Sequence, residues 1–170
     1  LSFHASYSTS FNTSGDTYQY DPLGANTPPE GSRNLELGMS VESEDKRSTT
    51  RVALFHVTKT NERNRDPDSA AAAYLLSGKR HAAGIEVDWA GRITPALEVY
   101  ASYAFTPIAK IDVGAPSTAL ALAGELQGQR PSLTPRHSGA LWVTWQIDPF
   151  WRVGSGLNLR SSQTPNRNPG

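Results

Sequence analysis

Leu97-Glu98-Val99-Tyr100-Ala101-Ser102-Tyr103-Ala104-Phe105-Thr106 is the stretch whose reading decides the fold. Its odd positions, Leu97, Val99, Ala101, Tyr103 and Phe105, are apolar or aromatic. Its even positions, Glu98, Tyr100, Ser102, Ala104 and Thr106, are mostly polar or small. Side chains on a β-strand point alternately to opposite faces, so this is a strand with one greasy face and one wet face.

The same period runs through the rest of the chain. From Leu1, positions Leu1, Phe3, Ala5, Tyr7 and Thr9 oppose Ser2, His4, Ser6 and Ser8. A second strand over 34–43 sets Leu35, Leu37, Met39 and Val41 against Asn34, Glu36, Gly38, Ser40 and Glu42. A third, over 50–60, has competing faces: Ala53, Phe55 and Val57 on one side, Val52 and Leu54 on the other. The Phe55 face is assigned outward, because the alternative places His56 in hydrocarbon. A fourth strand, over 80–90, sets Ala83, Ile85, Val87 and Trp89 against Ala82, Gly84, Glu86 and Asp88. A sixth, over 138–147, directs Leu141, Val143, Trp145 and Ile147 outward; a seventh, over 151–161, directs Trp151, Val153, Leu157 and Leu159 outward and Arg152, Asn158 and Arg160 inward.

The connections alternate in length. Asp45–Ser48, Gly91–Pro95 and Asp148–Phe150 are short; Asn12–Arg33, Asn61–Lys79 and Pro107–Arg136 are long and rich in turn-forming residues. Long structureless loops are uncommon in compact soluble domains. Short turns at one end and long loops at the other are the habit of outer-membrane barrels, whose strands need about 9–11 residues to cross. Short helices are possible at Asp68–Leu76 and Ser117–Leu126. Phe11, Tyr103, Phe105, Phe150 and Trp151 lie near strand ends, as interfacial girdles do. The expected fold is all-β: an antiparallel up-and-down meander of about seven strands, part of a larger transmembrane barrel. Seven strands leave two open edges, and a membrane does not tolerate unpaired backbone, so further strands are expected on both sides.

Composition agrees. Apolar residues are 37% of the 170, fewer than a sealed soluble core of this size calls for. The 16 basic and 16 acidic residues cancel, and no polybasic patch invites nucleic acid. No apolar run is long enough for a transmembrane helix.

Against that background five segments resemble the TonB-dependent siderophore receptors. They are Pro29–Gly38 (PEGSRNLELG); Ala53-Leu54-Phe55 with Thr60-Asn61; Gly84-Ile85-Glu86 with Gly91; Tyr100-Ala101-Ser102-Tyr103; and Thr134-Pro135-Arg136-His137. The resemblance spans nearly the whole chain, and the loop composition is closest to the catecholate branch. It implies an origin in the outer membrane of a Gram-negative bacterium and a barrel of about 22 strands closed by an N-terminal plug. It also implies capture of a ferric siderophore from outside and energy supplied through TonB. On this reading residues 1–170 are an internal fragment of the barrel domain, without plug, TonB-contact segment or final strands, and inactive alone. The implied partners are a ferric catecholate siderophore, the TonB complex through the plug region, and outer-membrane lipid. A passive porin-like barrel and a soluble all-β carbohydrate-binding protein or hydrolase are the alternatives.

No enzyme chemistry is expected. The four histidines, His4, His56, His81 and His137, lack metal-ligand spacing, there is no cysteine, and no cofactor or metal site is assigned. Glu86, Asp88 and Glu98 share one face and read as solvated lumen charge rather than a glycosidase pair. Pro29 stiffens a loop exit, and Gly38 relieves crowding on the lumen side. Anionic ferric catecholates suit guanidinium, ammonium and aromatic partners. The ligand-binding candidates are therefore the loop residues Arg33, Arg63, Arg65, Tyr74, Arg80 and Arg130, with Lys79, Lys110, Tyr18 and Tyr20 beside them.

Overall fold

The computed structural model describes residues 1–12, 28–65, 74–114 and 127–163. They form one seven-stranded antiparallel sheet in simple meander order: β1 (Ser2–Asn12), β2 (Glu30–Glu42), β3 (Ser48–Arg65), β4 (Tyr74–Thr94), β5 (Leu97–Val113), β6 (His137–Gln146) and β7 (Arg152–Arg160). There is no helix among the described residues.

Partners directly opposite in an antiparallel ladder share a face. One such row runs Ala5, Leu37, Leu54, Ile85, Phe105; the row beneath it runs Phe3, Met39, Val52, Val87, Tyr103, Gly139, Leu159. These rows build one continuous apolar face. Among the described residues nothing packs on it: Phe3 is 75% exposed, Leu37 52% and Leu54 56%. Ile111 is the one buried large hydrophobic residue among those described. A soluble sandwich would bury its apolar rows against a second sheet. Among the described residues no second sheet covers them.

The apolar band crosses the ladder rows obliquely. The row that holds Leu37 on β2 reaches polar His137 on β6, while on β7 the band ends lower, at Leu159 and Val153. Strands tilted against a flat slab produce this offset.

The third strand corrects one expectation. Glu36 pairs with Phe55 and Leu37 with Leu54, so Phe55, Ala53 and Val57 face inward while Val52, Leu54 and His56 face outward. The objection that His56 would enter hydrocarbon fails because His56, in the middle of β3, lies one row below polar Arg33, Thr58 and His81, at the edge of the apolar band. There it stacks on His81, with ring centroids 5.9 Å apart.

Strand lengths also differ from expectation. β1, β2, β6 and β7 have 9–13 residues, close to one membrane crossing. β3, β4 and β5 have 18, 21 and 17, and continue well past it on the long-loop side. The segments read as loop at Asn61–Lys79 and Pro107–Arg136 therefore hold much strand. Tyr74–Leu76 belongs to β4 rather than to a helix, while Asp68–Ala73 and the expected helix Ser117–Leu126 lie outside the described residues. β-Bulges break the β4–β5 register near Ala83–Ile85 and Lys79–Arg80.

The short turns are tight. In the β2–β3 turn Ser43 N donates to Ser48 O, and Asp45 Oδ1 accepts from Ser43 Oγ at 2.6 Å and Arg47 N at 3.1 Å. Those bonds, the Ser43 hydroxyl first, hold the Asp45 carboxyl below its ordinary range. Only Pro95 and Ala96 separate β4 from β5, and Asp148 Oδ1 caps the β6–β7 turn by accepting from Phe150 N and Trp151 N at 2.8 Å each.

Candidate functional site

The inward face is the wet one. Glu36, Arg51, Glu86, Asp88, Glu98, Arg152 and Arg160 all lie in inward rows. His4 Nε2 meets Glu36 Oε1 at 2.9 Å, and the His4 ring lies over Gly38, where a Cβ would strike it. Tyr100 Oη donates to Asp88 at 3.3 Å. Glu98 joins two cations, accepting from Arg92 Nε and Arg152 Nη2 at 2.8 Å each. Such charges are costly against lipid and cheap beside lumen water.

Two aromatics interrupt this polar wall. Tyr100 and Trp142 are cross-strand partners on the inward face. The Trp142 ring lies across Gly154 and Gly156 of β7, and its Nε1 donates to Thr144 Oγ1 at 3.1 Å. Sequence reading listed the neighbours of Trp142 as outward and drew nothing from Trp142 itself; strict alternation with Leu141 and Val143 was the available signal. Phe55 also faces inward and fills the notch left by Gly84. A Cβ at Gly84 would collide with the Phe105 carbonyl oxygen and lie 2.9 Å from the Phe55 ring.

At the long-loop end, residues 127–136 fold back over the inward face. Gly128 N donates to Ile111 O, and Ile111 N to Gln129 O. Pro131 and Ile111 are buried beneath this return. Arg130 organises it. Its Nε donates to Thr134 O at 2.7 Å, its Nη2 to Thr106 O at 2.6 Å and Pro135 O at 3.1 Å, and its Nη1 to Pro107 O at 3.4 Å. Partial burial, then the charge of Arg136, lowers the Arg130 pKa.

The candidate ligand residues all map to this same end but not to one surface. Arg33 pairs with Thr9 and Thr58 in an outward row, so it points away from the lumen. Arg80 pairs with Lys59 on the inward face and makes an ion pair with Glu62. Arg65 is opposite Tyr74, and Arg63 opposite Leu76, near the tips of β3 and β4. Most N–H donors of Arg130 are engaged by backbone carbonyls, as given above. Lys79 and Lys110 lie in outward rows. Tyr18 and Tyr20 lie outside the described residues. No cluster of three or more His, Asp or Glu side chains fit for a metal ion occurs among the described residues.

A family model for the β-barrel of TonB-dependent receptor-like proteins matches residues 1–170. The chain belongs to that family. Its seven strands are outer-membrane barrel strands, and its relatives are receptors and transporters. The chain is similar to "Probable TonB-dependent receptor BfrD" of Bordetella pertussis, at 29% identity over 99% of this chain and 22% of the relative. It is similar to the catecholate siderophore receptor Fiu of Escherichia coli K12, at 30% identity over 79% of this chain and 16% of Fiu. The crystal structure of the ferric-catecholate import receptor Fiu superposes with a TM-score of 0.63, at 25% identity over 92% of this chain and 22% of that one. The siderophore receptor PiuA from Acinetobacter baumannii shares the fold with a TM-score of 0.70, at 21% identity over 93% of this chain and 23% of that one. The chain therefore spans about a fifth of the length of these relatives.

Proposed function

We propose that the intact protein is an outer-membrane receptor that takes up a ferric siderophore, of catecholate type, with energy drawn through TonB. The family match along the whole chain carries this reading, and the 30% identity to Fiu favours the catecholate class. Residues 1–170 supply seven strands of barrel wall. β1 and β7 each have one unpaired edge in this sheet, and hydrocarbon would penalise both, so other barrel strands pair with them. A plug domain elsewhere in the protein fills the lumen and contacts TonB.

In this reading the wall holds its charges inward for water and plug, while the overlong β3, β4 and β5 lift a binding surface clear of the membrane. Arg63, Arg65 and Tyr74, near the tips of β3 and β4, and Arg80, below them, are the ligand contacts it favours; guanidinium groups pair with anionic catecholate oxygens and Tyr74 stacks on the ring. Arg130 supports that surface by tying the 127–136 return to β5.

Uptake of radiolabelled ferric siderophores by cells expressing the intact protein tests the proposal. Saturable uptake of a ferric catecholate that disappears without TonB is expected. Uptake that persists without TonB, or no saturable uptake of any ferric siderophore, contradicts it.

A further inference from the structure

Strand register brings together two histidines that lie far apart in the chain. His56 of β3 is opposite Ala83 of β4, and His81 of β4 is opposite Thr58 of β3. They are therefore diagonal neighbours on the outward face, a spacing that aromatic side chains on adjacent strands can bridge. Their rings meet: the centroids are 5.9 Å apart and the planes are 19° from parallel. From the bulge in β5, Asp112 Oδ2 lies 2.8 Å from His81 Nδ1.

Each member of this trio has a chemical consequence. A carboxylate accepts from a ring N–H, so Asp112 places a proton on His81 Nδ1 and, in the neutral ring, leaves Nε2 with a free lone pair. This is the way metal-binding imidazoles are oriented, and the carboxylate makes the free nitrogen a stronger ligand. Neither Nε2 of His81 nor either ring nitrogen of His56 has a hydrogen-bond partner among the described residues. His56 is exposed, so its ring has room to turn.

The ring spacing fits a shared ion. A metal-bound imidazole nitrogen lies about 2 Å from the ion, which puts the ring centre about 3 Å from it. Two rings on one ion are then about 4.5–6.5 Å apart, from a right-angled to a linear arrangement. The observed 5.9 Å falls within that span. Nearby charge is mixed. Lys110 is opposite His81 and Arg33 is opposite Thr58, and both repel a cation, while the Asp112 carboxylate in contact with His81 attracts one. Two imidazole nitrogens select Cu²⁺, Ni²⁺ and Zn²⁺ over Mg²⁺ and Ca²⁺, which need oxygen ligands.

We propose that His56 and His81 bind one divalent transition-metal ion, Cu²⁺ most tightly, on the outside of the barrel, with Asp112 as the positioning residue for His81 and water completing the coordination. The bound ion ties β3 to β4 at the upper edge of the apolar band. The site takes a free ion and is independent of any iron carried through the lumen.

The test uses the full-length receptor in detergent, without an affinity tag, titrated with Cu²⁺, Zn²⁺ and Mg²⁺. Subtracting the combined His56→Gln, His81→Gln variant removes copper held elsewhere in the protein. Electron paramagnetic resonance should then show one Cu²⁺ species coupled to two imidazole nitrogens. Zn²⁺ should compete for it and Mg²⁺ should not. Asp112→Asn should weaken Cu²⁺ binding by about 10–100-fold while both nitrogen couplings remain. An identical Cu²⁺ titration in the double variant overturns the proposal, as does displacement of the ion by equimolar Mg²⁺. Unchanged affinity in Asp112→Asn overturns the positioning role. If the double variant does not fold, as judged by heat-shifted gel mobility, each histidine is replaced singly. Loss of one nitrogen coupling is expected each time, and retention of both overturns the site. A failed siderophore assay leaves all these outcomes untouched.

Discussion

The two faces of β2 are made by alternate residues of one ribbon, yet they obey different rules. Leu35, Leu37, Met39 and Val41 lie outward, with no charge in that run and, among the described residues, no side chain from elsewhere packed over it. Asn34, Glu36, Ser40 and Glu42 lie inward, where charge recurs and Glu36 is answered by His4. On the outward face the solvent is lipid, so chemical type is restricted and shape is not. On the inward face water tolerates charge, so type is free, and what is restricted is local fit, as at Gly38 beneath His4.

That contrast predicts unequal responses to substitution. Leu37→Arg should destabilise the folded barrel in vesicles by about 2–4 kcal/mol, read from denaturant unfolding, because the site is near the middle of the apolar band. Its mirror, Glu86→Gln on the inward face, should shift stability by no more than about 0.5 kcal/mol. Equal effects would erase the distinction. Gly84→Val tests inward fit. Its side chain must displace Phe55 or the Phe105 carbonyl, and a cost of about 1–3 kcal/mol is expected in the same assay. Arg130→Met should release the 127–136 return from β5. Hydrogen exchange at Ile111 and Gly128 should then quicken, by about 2 kcal/mol of lost local protection, while β6 and β7 amides stay unchanged. Asp45→Asn has the smallest expected effect. The folded carboxyl titrates below its ordinary range, so its contribution is present above that range and fades as pH falls through the lower folded value. The variant should therefore be slightly less stable at neutral pH, and its difference from the wild type should vanish as pH falls below the folded value, flattening the acid limb.

Much of this architecture was legible in the residues. Meander order, the short turns and the faces of β1, β2 and β4–β7 follow from strict alternation and turn chemistry. β3 was not legible from its own sequence, because Val52-Ala53-Leu54-Phe55 is apolar on both faces and only pairing with Leu37 and Ile85 chooses between them. The lengths of β3–β5 were hidden for a related reason. Beyond the membrane a strand needs no apolar face, so Glu62-Arg63-Asn64-Arg65 reads as loop and forms ladder. Of the candidate site, the clustering at one end was visible, but the facing of Arg33 and the carbonyl contacts of Arg130 were not. The first depends on a register that counts inward from the strand ends, and the second on a fold-back that brings Arg130 to Thr106 and Pro107, 24 and 23 residues earlier.

Residues 1–170 contain no cysteine, so single cysteines can be introduced here in a full-length receptor whose other cysteines, where present, are replaced. A spin label at each position from 51 to 57, in lipid vesicles, would test the alternation most directly, through collision with oxygen dissolved in the bilayer against a water-soluble relaxant. Val52 and Leu54 should be oxygen-accessible, and Arg51, Ala53, Phe55 and Val57 should not. The opposite phase would contradict the register of β3, and the absence of any period-two pattern would contradict the lipid-facing sheet on which the whole account stands.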